Sequence, residues 1–120
     1  MKNLNHLDHI VVAAQTLEQG VNWFKAITDL DIPQGGHHPL MGTHNHLMQI
    51  GQNAFFEIIA IDPDAPAPAR PRWYALDDPA LQQSLTTPRL ITWVVNTINL
   101  EALLSQTKFY FGDPLSLIHI

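Results

Sequence analysis

The 120-residue sequence predicts an α+β fold: one βαβββ module followed by the first strand and helix of a second, truncated module. Three observations predict it. Short β-branched runs alternate with one amphipathic stretch in the first half of the chain. The segment HNHLMQIGQNAFFEII, residues 44–59, is written like a β-hairpin. Finally, HIVVAAQTLEQ (residues 9–19) aligns without gaps on TWVVNTINLEA (residues 92–102), an offset of 92 − 9 = 83 that puts Val11-Val12 on Val94-Val95 and Leu17-Glu18 on Leu100-Glu101.

LDHIVVAA, residues 7–14, reads as the first strand because β-branched side chains fit a pleated surface. TLEQGVNWFKAITDL reads as a helix, with Thr16 as N-cap and Leu17, Val21, Phe24 and Ile27 recurring on one face. Gly20 weakens that helix. Pro33 and Gly35-Gly36 end it and open a loop, IPQGGHHPLMG, with room for a short strand. The hairpin follows. IDPDAPAPARPR packs four prolines into twelve residues, which excludes a helix or central strand and reads as an extended linker. A short helix follows with Asp77 or Asp78 as cap and Pro79 in its first turn. RLITWVVNT is a further strand and INLEALLSQT a further helix. The domain boundaries are then 1–62 for the first module, 63–88 for the linker, 89–114 for the start of the second, and 115–120 for a tail. That tail, LSLIHI, matches one reading frame of a sequencing-transposon end and is expected to be adapter-derived. His119 is accordingly no ligand candidate.

Hydrophobic residues at 46% and charged residues at 14% describe a globular chain of single-domain size. A formal charge of −5 with six Lys and Arg and no basic cluster argues against nucleic acid as a partner. No apolar run reaches membrane-spanning length, no secretory signal is visible, and cysteine is absent, so a cytoplasmic protein is expected.

Seven histidines point to metal chemistry. On the first strand Leu7, His9, Val11 and Ala13 share a face. On the last hairpin strand Phe55, Glu57, Ile59 and Ile61 share one, while Phe56 and Ile58 point towards the helix. An ionised Glu57 in so apolar a strand needs a metal, a cation or several donors. If Gly51-Gln52 is a two-residue turn, His46 lies opposite Glu57; a three-residue Gly-Gln-Asn loop pairs Leu47 with Glu57 instead. His9, Glu57 and His46 are therefore the metal candidates, with Glu57 also the candidate catalytic base. His44, Met48, Phe55 and Trp93 are the candidate substrate wall. A lone strand histidine is more often a packing residue. His37 and His38, in a Gly/Pro loop, are expected to be solvated, and His6 to lie at the surface.

LDHIVV, VNWFKAITDLDI, GGHHPLMGTHNHLMQIG and NAFFEIIAIDPD together resemble the glyoxalase-like domains of the vicinal oxygen chelate superfamily, over residues 5–78 and again over 89–112. The resemblance implies two βαβββ modules forming a cup around a divalent metal, with the first-strand His and fourth-strand Glu falling on His9 and Glu57. It implies a lyase, isomerase or dioxygenase chelating vicinal oxygens of a small molecule through Zn, Fe, Mn, Ni or Co. The alternatives are a metal-free sequestration protein with the same cup, or a truncated half that pairs with a second copy as a homodimer. In the second copy the position matching His9 is Thr92, so a symmetric two-His, two-Glu site is not available.

Overall fold

The computed structural model describes residues 5–106, the side chains of 103, 104 and 106 apart. Five strands, β1 (Asn5–Ala13), β2 (Gln34–His38), β3 (Thr43–Gln49), β4 (Phe55–Ile61) and β5 (Arg89–Thr97), form one sheet in the order β2-β3-β4-β1-β5. β1 runs parallel to β4 and antiparallel to β5. The helices are α1 (Leu17–Thr28), α2 (Pro79–Ser84) and α3 (Leu100–Gln106), with a 3-10 turn at Trp73–Ala75. No helix among the described residues is long and apolar enough to cross a membrane. The adapter assignment of residues 115–120 falls outside the described residues.

α1 forms where expected. The Thr16 side chain accepts from the Gln19 N–H, and Asp29 closes the helix in the left-handed region with its N–H on the Lys25 carbonyl. Phe24 is buried and stacks on Phe56 at 5.2 Å, but Ile27 is 65% exposed and lies off the buried stripe. Gly20 is needed for close approach: a Cβ there would stand 2.5 Å from the Ile58 methyl. The glycine that weakens the helix in isolation is thus what lets it lie down on β4.

The other face of the sheet is covered by residues 63–88. They read as an extended linker, yet Leu76 and Leu85 are fully buried against Val11, Ala13 and Ile59. This strap is pinned at several points. Arg72 bonds Asp77 at 2.6 Å and reaches the Gly42 carbonyl. The Gln19 amide donates to the carbonyls of Leu85 and Thr86. Asp78 caps α2 through the Ala80 N–H, with Pro79 at its start. The sheet therefore has two buried faces, α1 with its cluster of Ala14, Phe24, Ile32 and Ile58 on one and the strap on the other.

The repeat has a counterpart in the strand register. His9↔Val94 and Val11↔Thr92 exchange under the 83-residue offset, and Ile10↔Trp93 maps onto itself. Each strand carries a bulge, at Asp8 in β1 and at Ile91 in β5, and 91 − 8 is again 83. A local two-fold axis thus passes between Ile10 and Trp93.

Candidate functional site

The strap face of the sheet holds a polar cluster centred on Glu57, which is only 4% exposed. Strand alternation puts Glu57 on this face opposite Val11, and His9 lies on the same face two residues before Val11. The His9 Nε2 stands 3.3 Å from Glu57 Oε1. The His9 Nδ1 donates to Asp8 Oδ2 at 2.7 Å. Consecutive strand residues normally face apart; the bulge at Asp8 breaks the alternation and brings the carboxylate round to its neighbour's ring. Burial opposes a charge on His9, but the hydrogen bonds and negative charges of Glu57 and Asp8 outweigh it and raise its pKa above the ordinary imidazole value. His9 is held between two carboxylates.

The second Glu57 oxygen, Oε2, accepts from the Asn45 side-chain amide at 2.6 Å. Asn45 cannot turn over, because its own Oδ1 accepts from the Gly36 N–H at 2.9 Å. That contact needs the Gly35-Gly36 irregularity in β2: a Cβ on Gly35 would fall 2.1 Å from Asn45 Oδ1. Two glycines that read as a loop signal thus set the orientation of the amide that holds the buried carboxylate.

The strap closes the cluster. Tyr74 and Ala75 both have positive φ, at 60° and 58°, a conformation that costs a residue with a Cβ on the order of 1–3 kcal/mol. Tyr74 is thereby turned towards the Val11 and Leu76 cluster. Burial, and then the charges of Glu57 and Asp8, push its phenol well above the ordinary value, so it stays protonated and able to donate. His38 lies on this face as well, edge-on to Trp73 at 5.3 Å and bonded to the Thr43 hydroxyl. Burial lowers its pKa against the pull of Glu57.

Several expected positions change. The hairpin closes with the Ile50 N–H on the Ala54 carbonyl, leaving Gly51-Gln52-Asn53 as a three-residue loop, so Leu47 and not His46 is opposite Glu57. That one-residue shift turns His46 to the α1 face, where its Nδ1 donates to the Ile32 carbonyl at 2.9 Å. His44 and Met48 turn with it. Trp93, paired with Ile10, faces the same way. Of the expected wall only Phe55 stays on the strap face, at its exposed rim. His38, expected in solvent, sits near Glu57, and His37 meets Asp62 at 2.9 Å. Asp8, Asn45, His38 and Tyr74 escaped the sequence reading. Gly35-Gly36 beside two histidines, and Trp73-Tyr74 among the prolines, were the available signals.

One other cluster belongs to the α1 face. His37, His44 and Asp62 each offer a ligand atom within 4.8 Å of the others, and among the described residues this is the one group of three that could hold a metal ion.

A mixed βαβββ sheet with a buried His–Glu pair on its covered face defines a glyoxalase-type half cup. A family model for the glyoxalase-like domain matches residues 7–109, and the chain belongs to that family, in keeping with the vicinal oxygen chelate superfamily. No curated protein matches the chain.

Proposed function

We propose that the chain is a divalent-metal-dependent enzyme, a lyase, isomerase or dioxygenase, acting on a small molecule with adjacent oxygens. The observation that carries this reading is the series Asp8–His9–Glu57. A ligating imidazole typically donates its other ring N–H to a carboxylate, as His9 Nδ1 does to Asp8. The 3.3 Å between His9 Nε2 and Glu57 Oε1 is close to the roughly 3.4 Å that separates two ligands of one tetrahedral ion bound at about 2.1 Å. His9 and Glu57 would hold the ion through these two atoms, and a borderline cation suits one imidazole and one carboxylate. When bound it supplies Lewis-acid polarisation of substrate oxygens and stabilises negative charge developing on them.

The remaining steps belong to the protein. Asp8 fixes the His9 ring, and Asn45 keeps Glu57 Oε2 directed, so that Glu57 serves as ligand or as base for a proton beside a substrate oxygen. The neutral Tyr74 phenol is available to donate to developing charge, and the strap excludes water. We read residues 89–106 as the start of a second module that completes the cup, either in the same chain or through pairing with a second copy along β5. A small oxygenated molecule is the expected partner.

Metal analysis of the purified protein tests this. One ion per chain lost in His9→Ala and in Glu57→Ala, but kept in His46→Ala, is the expected result. A second reading has an observation of its own: Glu57 already has the His9 ring and the Asn45 amide as partners without any ion. In that case the cup binds its small molecule without metal. An ion content unchanged by either variant, together with unimpaired ligand binding by both, would replace the first reading with the second.

A further inference from the structure

We infer that His37, His44 and Asp62 form a separate divalent-metal site on the α1 face of the sheet, taking a borderline cation such as Zn(II), Co(II) or Ni(II). It lies apart from the His9–Glu57 pair: His44 pairs across the ladder with Ala60 and shares the face of Ile58, on which α1 rests, whereas Glu57 faces the strap. His37 pairs with His44, which brings the two rings to 5.8 Å between centroids.

Three independent features point to a ligand. The first is the donor set of two imidazoles and one carboxylate, with one atom of each within 4.8 Å of the others. Bonds of about 2.1 Å in a tetrahedral site need spacings of about 3.4 Å. His37 Nδ1 and Asp62 Oδ2 already lie 2.9 Å apart, and no spacing in the group exceeds 4.8 Å. The second is His44 Nε2, which is buried and has no hydrogen-bond partner. A ring nitrogen withdrawn from water without a partner is costly, and an ion bound there removes that cost. The third is the carboxylate's orientation. The Asp64 backbone N–H holds Asp62 Oδ1 at 3.0 Å, leaving Oδ2 directed at His37. A ligating carboxylate is typically steadied in this way from behind.

The ion would join three parts of the chain: edge strand β2, strand β3, and the point where β4 gives way to the strap, already tied by the Asp62 N–H to the Gly42 carbonyl. It would therefore act as a fastening for the strap that covers the Glu57 cluster. This holds whether or not His9 and Glu57 bind an ion of their own.

The test uses the full chain carrying His9→Ala and Glu57→Gln, which removes the strap-face pair. Co(II) absorption and Zn(II) calorimetry are expected to give one ion per chain in this background, with a rise in Tm on adding Zn(II). Adding His37→Ala or Asp62→Asn is expected to weaken binding at least about tenfold and to abolish the Tm rise. His37 is exposed, so its truncation leaves the fold intact even if Asp62→Asn does not. Absence of binding in the background, or equal binding with and without His37, overturns the site.

Discussion

β1 and β5 occupy equivalent places about the centre of the sheet, with the same bulge at the same point, yet they carry opposite chemistry. In β1 the bulged residue and its successor are Asp8 and His9, a carboxylate bonded to an imidazole. In β5 they are Ile91 and Thr92, and Ile91 packs into the apolar cluster beneath the strap. The backbone device is thus indifferent to what it presents. A bulge turns two consecutive side chains to one face, and the sequence decides whether they become a charged pair or core. The difference teaches that the local two-fold axis belongs to the fold alone; the site belongs to one copy.

The largest effect is expected from breaking the β1 side. Glu57→Ala leaves the His9 ring and the Asn45 amide without their shared partner. Urea denaturation should register a loss of about 3 kcal/mol, together with loss of the ion we propose at the His9–Glu57 pair. Gly35→Ala should come next, at about 1–3 kcal/mol, because the new methyl collides with the Asn45 amide and backbone and nothing nearby is a flexible end. Its signature is that it harms the site from the far side of Asn45, with every charged group still present.

The comparison is sharpened from the β5 side by Ile91→Asp with Thr92→His, which writes the β1 pair into the second copy. Thr92 is in line with Val11 and, across β1, with Glu57, so the added imidazole faces the same cluster. Metal affinity should rise about tenfold, equivalent to about 1.4 kcal/mol; an unchanged affinity would mean that the two bulges are not equivalent in direction.

The smallest effect belongs to the strap turn. The Arg72 backbone N–H first, and then its guanidinium, hold the Asp77 carboxyl below its ordinary value of 3.8. The increment this gives is therefore present above that pH and is lost as pH falls through the lower folded value. Asp77→Asn should cost no more than about 1 kcal/mol at pH 6, Asp77 being partly exposed, and parent and variant midpoints should converge near pH 2.

Much of the fold was legible because β-branched runs and a capped amphipathic stretch each obey a local rule: β5 and α1 lie where Arg89–Thr97 and Thr16 put them. The His9–Glu57 pair was legible for the same reason, since alternation alone sorts Glu57 from Phe56 and Ile58. What failed depended on a single count. Whether two or three residues turn the hairpin decides the face of every residue on β3, and both loops fit Gly51-Gln52-Asn53 equally well. His44, His46 and Met48 were assigned to the wrong face by that one residue. Asp8 was hidden differently. Its position depends on a bulge, which suspends the alternation by which a strand is read, whereas Asn45 reaches the strap face by the same hairpin count. The strap was masked by its prolines, which announce what the backbone cannot do and say nothing of where Leu76 and Leu85 go.

The strand order also has a consequence in time. β1 is made first, but its neighbours in the sheet come from β4 and from β5, so both of its edges wait for later sequence. Between completion of Ile61 and of Thr97 there are 97 − 61 = 36 residues, roughly 2–7 s of synthesis at about 5–20 residues per second. Throughout that interval the nascent chain carries Val11, Ala13 and Ile59 uncovered and one side of β1 open to any other strand. Residues that end as the quiet interior of the sheet are, for those seconds, the stickiest surface on the ribosome-bound chain. The pace of translation through residues 62–97 should therefore govern how much protein is recovered soluble.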